Sequence, residues 1–226
     1  QEISGLMNIS QIYKIGTSAL TANFWLTGHQ DNGTSWWNGT TYTARMGGDG
    51  MDCFIDRTNN NNMFASYYSG QFQRSTNGGA SWSAPTGFSG TGNWVSPWKQ
   101  DPQTSTIVWA GKQQMFKSTN TGGSFAMTTG TMTGTSTIVE FAVAPSNNQI
   151  LYVIKGTALW KTTDGGATWT NITGTVPTGS GAPTFITVSP TDANKLWVTL
   201  SGYSAGNKVF MSTNGGTTWT NYTANL

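Results

Sequence analysis

The side chains of this sequence best suited to chemistry are carboxylates in glycine-rich or aromatic surroundings. Asp31 lies in Gly28-His29-Gln30-Asp31-Asn32-Gly33-Thr34, Asp49 and Asp52 lie in Gly47-Gly48-Asp49-Gly50-Met51-Asp52, and Glu140 stands between Val139 and Phe141. Two carboxyls flanking a glycosidic oxygen can divide the work of cleavage, one protonating the leaving oxygen while the other activates water or attacks. Asp31, Asp49 and Glu140 are therefore the catalytic candidates. His29, Gln30, Asp31, Asp49, Asp52, Trp94 and Trp98 are the ligand-binding candidates, because amides and carboxylates can bond hydroxyls while an indole face stacks on a sugar ring. A competing structural use exists for each acid. Asp31 and Asp49 sit in Asp-Asn-Gly and Gly-Asp-Gly contexts, where a carboxylate holds a turn by accepting backbone N–H bonds. Strand alternation turns Glu140 away from Val139 and Phe141, toward a solvated channel wall.

Metal chemistry has little to build on. His29 is the only histidine and Cys53 the only cysteine, and neither falls in a zinc-type spacing. No metal site and no cofactor is expected; calcium is the one ion whose preference for oxygen ligands the Gly47–Asp52 segment could meet. A single cysteine cannot form an intrachain disulfide, so Cys53 reads as a small buried hydrophobe. Asn-X-Ser/Thr triplets at Asn8, Asn32, Asn38, Asn171 and Asn221 would matter only in a glycosylating host.

The elements that must position these groups announce themselves as a repeat. Ser75-Thr76-Asn77-Gly78-Gly79-Ala80-Ser81-Trp82 recurs as Ser118-Thr119-Asn120-Thr121-Gly122-Gly123-Ser124-Phe125, Thr162-Thr163-Asp164-Gly165-Gly166-Ala167-Thr168-Trp169 and Ser212-Thr213-Asn214-Gly215-Gly216-Thr217-Thr218-Trp219. The starts lie 43, 44 and 50 residues apart, the length of a four-stranded propeller blade. Each copy reads as a hairpin: Asn77, Asn120, Asp164 or Asn214 accepts bonds from turn amides, and the glycines supply positive φ. The closing Trp82, Phe125, Trp169 or Trp219 is then carried into the apolar layer between blades.

Paired apolar runs precede each hairpin, as in Leu151-Tyr152-Val153-Ile154 with Leu159-Trp160-Lys161-Thr162, and Ile107-Val108-Trp109-Ala110 with Met115-Phe116-Lys117-Ser118. A further strand lies upstream, at Val139–Val143 and at Phe185–Val188, each ended by a proline turn. A first unit without the hairpin motif keeps the layout through Gln11–Ile15, Phe24–Thr27, Trp36-Trp37, an Asn38-Gly39 pair that predicts a type I′ turn, and Thr41-Tyr42-Thr43. The expectation is an all-β chain, 1–226, of about five four-stranded blades at roughly 8–46, 50–90, 94–130, 137–175 and 183–226. Its phase, opening on a first strand and closing after a fourth, leaves no strand over for a shared closing blade, so either the ring closes without one or, the favoured reading, the chain is part of a larger propeller.

The four hairpins resemble the Asp-box, or BNR, repeats of sialidases, sortilin-type receptors, xyloglucan-degrading glycoside hydrolases and photosystem-assembly propellers, and the resemblance covers nearly the whole chain. It implies the propeller fold and says little of function, since enzymes and binding modules share the device. A sialidase would bring three arginines to one carboxylate. Here only Arg45, Arg57 and Arg74 exist, with Arg74 against a hairpin motif. Xyloglucan-degrading relatives are matched better, through Gln30-Asp31-Asn32-Gly33, although they use a cleft between two propellers. The Gly28–Thr34 and Gly47–Asp52 segments also resemble propeller regions of large proteins exported to the surface of Bacteroidetes-type bacteria, which implies type IX secretion. In such propellers the first strands begin on the face that bears ligand, which would gather His29, Gln30, Asp31, Asp49, Asp52, Trp94, Trp98 and Glu140.

Composition narrows the choice further. Only 9% of residues are charged and the net charge is +2, without the basic stripe that nucleic acid demands. No run approaches the ~18 apolar residues of a membrane span, and Gln1-Glu2-Ile3-Ser4 carries no signal pattern. Twenty-nine glycines, eleven tryptophans and a surface left to Thr, Ser and Asn suit an extracellular or cell-surface protein. The reading is a secreted binding or scaffolding module with carbohydrate as its ligand, flanked by other parts of a larger chain or other copies. Alternatives are a xyloglucanase-like glycoside hydrolase, the class expected if the chain is an enzyme, and a platform for an extracellular protein.

Overall fold

Every described sheet of the computed structural model is antiparallel and ordered along the chain, as successive hairpins require. Residues 10–176, 181–203 and 205–223 are described. The sequon at Asn8 and the N-terminal Gln1–Ser4 lie outside them, as do the outermost residues of the first and last expected blades.

The chain divides into two compact units, residues 1–84 and 85–226. In the first, β1 (Ile12–Thr17), β2 (Trp25–His29), β3 (Gly33–Trp37) and β4 (Tyr42–Met46) form blade 1. Blade 2 follows as β5 (Cys53–Ile55), β6 (Met63–Tyr67) and β7 (Gln71–Ser75), with an Arg74–Ser83 bridge in the place of a fourth strand. The second unit holds blade 3 with β8 (Trp98–Gln100), β9 (Val108–Gly111), β10 (Met115–Ser118) and β11 (Ala126–Met127). Blade 4 comprises β12 (Ile138–Val143), β13 (Leu151–Lys155), β14 (Ala158–Thr162) and β15 (Thr170–Asn171), and blade 5 comprises β16 (Pro183–Val188), β17 (Leu196–Leu200), β18 (Val209–Ser212) and β19 (Thr220–Asn221). The five blades of an all-β propeller are thus present.

Alternation along each strand feeds two apolar layers, one on each side of a blade. In β13, Leu151 and Val153 join Trp109, Met115, Phe141 and Trp160 between blades 3 and 4. Tyr152 and Ile154 point the other way, joining Leu159, Ile186, Val188, Leu196, Val198 and Phe210 between blades 4 and 5. Unit 1 has the same layer between its own blades, made by Leu26, Met46, Cys53, Ile55, Met63 and Ala65. Burial of a ring such as Phe141, which is fully enclosed, contributes about 3 kcal/mol. Cross-strand pairs reinforce the pattern: Lys117 lies opposite Trp109 and Lys161 opposite Tyr152, each ammonium within 5.4 Å of the ring centroid.

The repeated hairpins are built as their residues require. At the first, Ser75 Oγ donates to Asn77 Oδ1 (2.9 Å) and accepts from Gly79 N (2.9 Å), while Asn77 Oδ1 accepts from Ser81 N (2.9 Å) and Asn77 Nδ2 donates to Ser81 Oγ (2.8 Å). Equivalent bonds recur around Asn120, Asp164 and Asn214. Phe125 is buried, and Trp82, Trp169 and Trp219 each pack on an interblade layer. One expectation is corrected in blade 1. The Asn38-Gly39 turn is not type I′, because Gly39 alone of the pair has positive φ (97°). Asn38 Oδ1 instead accepts from the Thr40 and Thr41 amides (3.0 and 2.8 Å), so the side chain closes the turn.

Candidate functional site

In unit 1 the candidate residues gather where the β2–β3 loop meets the segment 47–52. Three glycines let these backbones touch. A Cβ on Gly28 would stand 2.0 Å from Met51 O, on Gly33 1.8 Å from Met46 O, and on Gly50 2.0 Å from Gly33 O. Gly50 N donates to His29 O (2.9 Å), and Gln30 N to Gln11 O (2.9 Å). The resulting rim carries an open cavity of about 440 Å³ lined by Ser10, Gln11, Gln30, Asp31 and Asn32.

Within this rim the acids have distinct duties. Asp31 adopts the left-handed conformation (φ 59°), and its N–H donates to Asp49 Oδ1 at 2.9 Å. Asp49 therefore holds the loop, the structural use its Gly-Asp-Gly context allowed, while the exposed Asp31 carboxylate faces the cavity rim. Asp52 is nearly buried one residue before β5. His29 is corrected from a ligand contact to a buried group. Its Nδ1 pairs with Ser10 Oγ (2.7 Å), and Nε2 lies 2.7 Å from Thr27 Oγ1 and 2.8 Å from Tyr42 OH. Thr27 and Tyr42 are themselves joined through their hydroxyls. Burial lowers the imidazole pKa and favours the neutral ring.

In unit 2, Glu140 is almost fully buried, and a single oxygen serves two partners: Glu140 Oε1 lies 2.8 Å from Lys99 Nζ and accepts from Phe141 N at 2.9 Å. Lys99 Nζ also donates to Phe141 O (2.8 Å) and stands 5.3 and 5.8 Å from the Phe141 and Phe185 rings. The channel-wall carboxylate of the sequence reading is thus an ion-paired clamp between β8 and β12. Trp98 is likewise corrected: at 1% exposure it is core, whereas Trp94 is half exposed. Trp98 opens β8 on the same side of its strand as Phe141 does in blade 4, whereas Trp94 lies in the loop before that strand.

Sequence reasoning missed Lys99, Phe185, and the cavity residues Ser10, Gln11 and Asn32. It also missed Lys112 and Lys155, which occupy equivalent positions at the end of the second strand of blades 3 and 4. Both are buried, with Lys155 Nζ donating to Met132 O (2.9 Å) and Lys112 Nζ 5.6 Å above Phe88. Burial lowers the pKa of each. Lys99 and Phe185 carried no local signal, since their roles arise from neighbouring blades; Lys112 and Lys155 were findable once the hairpins had been aligned. Among the described residues no group of three or more His, Cys, Asp or Glu is placed to hold a metal ion, and no helix is long and apolar enough to cross a membrane.

Ordered blades closed by Ser/Thr-X-Asn/Asp hairpins define an Asp-box β-propeller. The Sortilin-Vps10 family model, described as sortilin, neurotensin receptor 3, matches residues 113–226, half of the sequence, and the chain belongs to that family. Comparison with curated proteins finds no match. Among solved structures the chain is similar to the GH74 enzyme of Niastella koreensis, with 20% identity and a TM-score of 0.71, covering 92% of this chain and 38% of that one. An ancestral GH74 enzyme shows 17% identity and a TM-score of 0.78, over 96% of this chain and 31% of its own. YCF48 bound to D1 peptide shows 13% identity and a TM-score of 0.63, over 93% and 66%. These likenesses concern the fold, and the chain spans about a third of the length of the two GH74 structures.

Proposed function

We propose that this chain is an extracellular or cell-surface binding module that takes a carbohydrate at the β2–β3 rim of blade 1. The observation that carries the reading is the open cavity edged by Ser10, Gln11, Gln30, Asp31 and Asn32. Its hydroxyl, amides and single carboxylate match the alternating donors and acceptors of a sugar, and its size suits one or two rings. Binding without cleavage is favoured by the state of the acids. Asp49 is spent on a backbone amide, and Glu140 on Lys99 and the Phe141 amide, so neither is poised as the partner that Asp31 would need.

A glycan array followed by calorimetry tests the reading. A bound glycan should lose about tenfold or more in affinity with Gln30→Ala and with Asp31→Asn, the latter keeping a residue that tolerates the left-handed backbone. Products released from the bound glycan would instead establish a hydrolase, of the class to which the two GH74 neighbours belong. A second reading, an extracellular peptide as ligand, draws support from the sortilin family match and from the peptide-bound YCF48 neighbour. Silence on the glycan array with saturable binding to a peptide library would favour it.

A further inference from the structure

Between the hairpins of blades 4 and 5, within unit 2, lies a cavity of about 290 Å³. Lys161, Thr162, Thr163, Thr168 and Thr170 line it from blade 4, and Gly215 lines it from blade 5. Lys161 and Thr170 stand opposite each other in the β14–β15 pair, and Thr163, two residues past Lys161, falls on the same side of the chain. Both walls come from consecutive blades of one unit.

Lys161 is half-buried, and among the described residues its ammonium has no carboxylate partner. Nζ donates one long bond, to Gly215 O at 3.3 Å, and stands 5.4 Å from the Tyr152 ring centroid. An ammonium carries three hydrogens, so donor capacity is left over in the groove. Burial lowers the Lys161 pKa, as expected of a charge without compensation. Two hydroxyls are likewise uncommitted: the exposed Thr163 and Thr170 side chains have no hydrogen-bond partner among the described residues. Thr162 and Thr168 differ, giving their hydrogens to Asp164 at 2.7 and 2.6 Å, so that acid, which does not line the cavity, is already bonded. The fold itself asks for neither Lys161 nor Thr170. Their register equivalents include Met211 in blade 5 and Ala126 in blade 3.

We propose that this groove binds an oxyanion, the carboxylate or sulfate group of an acidic ligand, on the Lys161 ammonium and the Thr163 and Thr170 hydroxyls. A charged acceptor answers the ammonium more strongly than the distant Gly215 carbonyl does, and hydroxyls at its side complete the coordination. The remaining volume, with Ile172 in the lining, holds the body of a ligand about as large as one sugar ring. The site shares no residue with the blade 1 rim, and either can fail without the other.

NMR titrations with sodium sulfate and with sodium glucuronate, at an ionic strength held constant with chloride, test the proposal. At least one of these anions should shift the Thr163, Thr170 and Gly215 amides saturably, with half-saturation at about 1–30 mM, and should raise the Lys161 pKa. Neutral glucose should do neither. Lys161→Met, which places in β14 the residue type that Met211 supplies to β18, should keep the parent spectrum elsewhere and weaken binding by about tenfold or more. Thr170→Ala should weaken it by about threefold, and Lys117→Met, the matching change in blade 3, should leave it unchanged. A preference for glucuronate identifies a carboxylate-bearing sugar and a preference for sulfate a sulfate group, and either sustains the proposal. Shifts that never saturate with either anion, that persist in Lys161→Met, or that glucose reproduces overturn it.

Discussion

Two side chains, Asp164 and His29, make their surroundings visible to titration. Asp164 is the one acid among the four hairpin motifs, and its carboxyl is held down at about 2, first by the Thr162 hydroxyl and then by the Thr168 hydroxyl and amide. A lowered folded-state pKa contributes stability that is present above the ordinary value of 3.8 and lost as pH falls through 2. Carboxyl NMR should place the Asp164 midpoint near 2, and Thr162→Val should move it up toward 3.8; an unmoved midpoint would remove the hydroxyl as the cause. His29 runs in the same direction for a different reason. Its buried ring is favoured neutral, so the unfolded chain binds the extra proton first, and stability falls as pH drops below the ordinary 6.5. Melting temperature should decline from pH 7.5 toward pH 5, less steeply in His29→Gln; equal slopes in the two proteins would argue that another group titrates.

At the scale of elements, close backbone contact and interblade packing decide what a substitution costs. Gly33 lies at φ 66° with Met46 O where its Cβ would be, so Gly33→Ala should destabilise unit 1 by more than about 2 kcal/mol and disturb the Gln30–Asn32 rim. Urea denaturation measures the loss; an unchanged midpoint would mean that the two segments part readily. Phe141→Ala, which empties a fully enclosed position between blades 3 and 4, should cost about 3–5 kcal/mol by the same measurement. The Asp-box strands and hairpins were legible because alternation and turn chemistry are local properties. The Asn38 turn was misread for a local reason as well: Asn-Gly suits type I′, but an Asn side chain can close the turn by itself.

For the whole molecule, both described interblade layers of unit 2 are made of residues from that unit alone, and the described layer of unit 1 is likewise its own. Residues 85–226 expressed alone should therefore give a β-type circular dichroism spectrum and unfold cooperatively. A disordered spectrum would show that the three blades need residues before Pro85. Family membership and propeller fold also come at this scale, since the match rests on repeated blades and not on any one acid.

What the sequence determined by itself was the blade count, the four hairpins and the placement of each closing aromatic, because strand period, turn residues and repeat length are written in consecutive residues. It also held the structural use of Asp49, through its Gly-Asp-Gly context. Only the tertiary structure decided that His29 and Trp98 are enclosed and that Lys99 claims Glu140. Each of those facts depends on which strand or blade lies alongside, and that adjacency joins residues far apart in the chain.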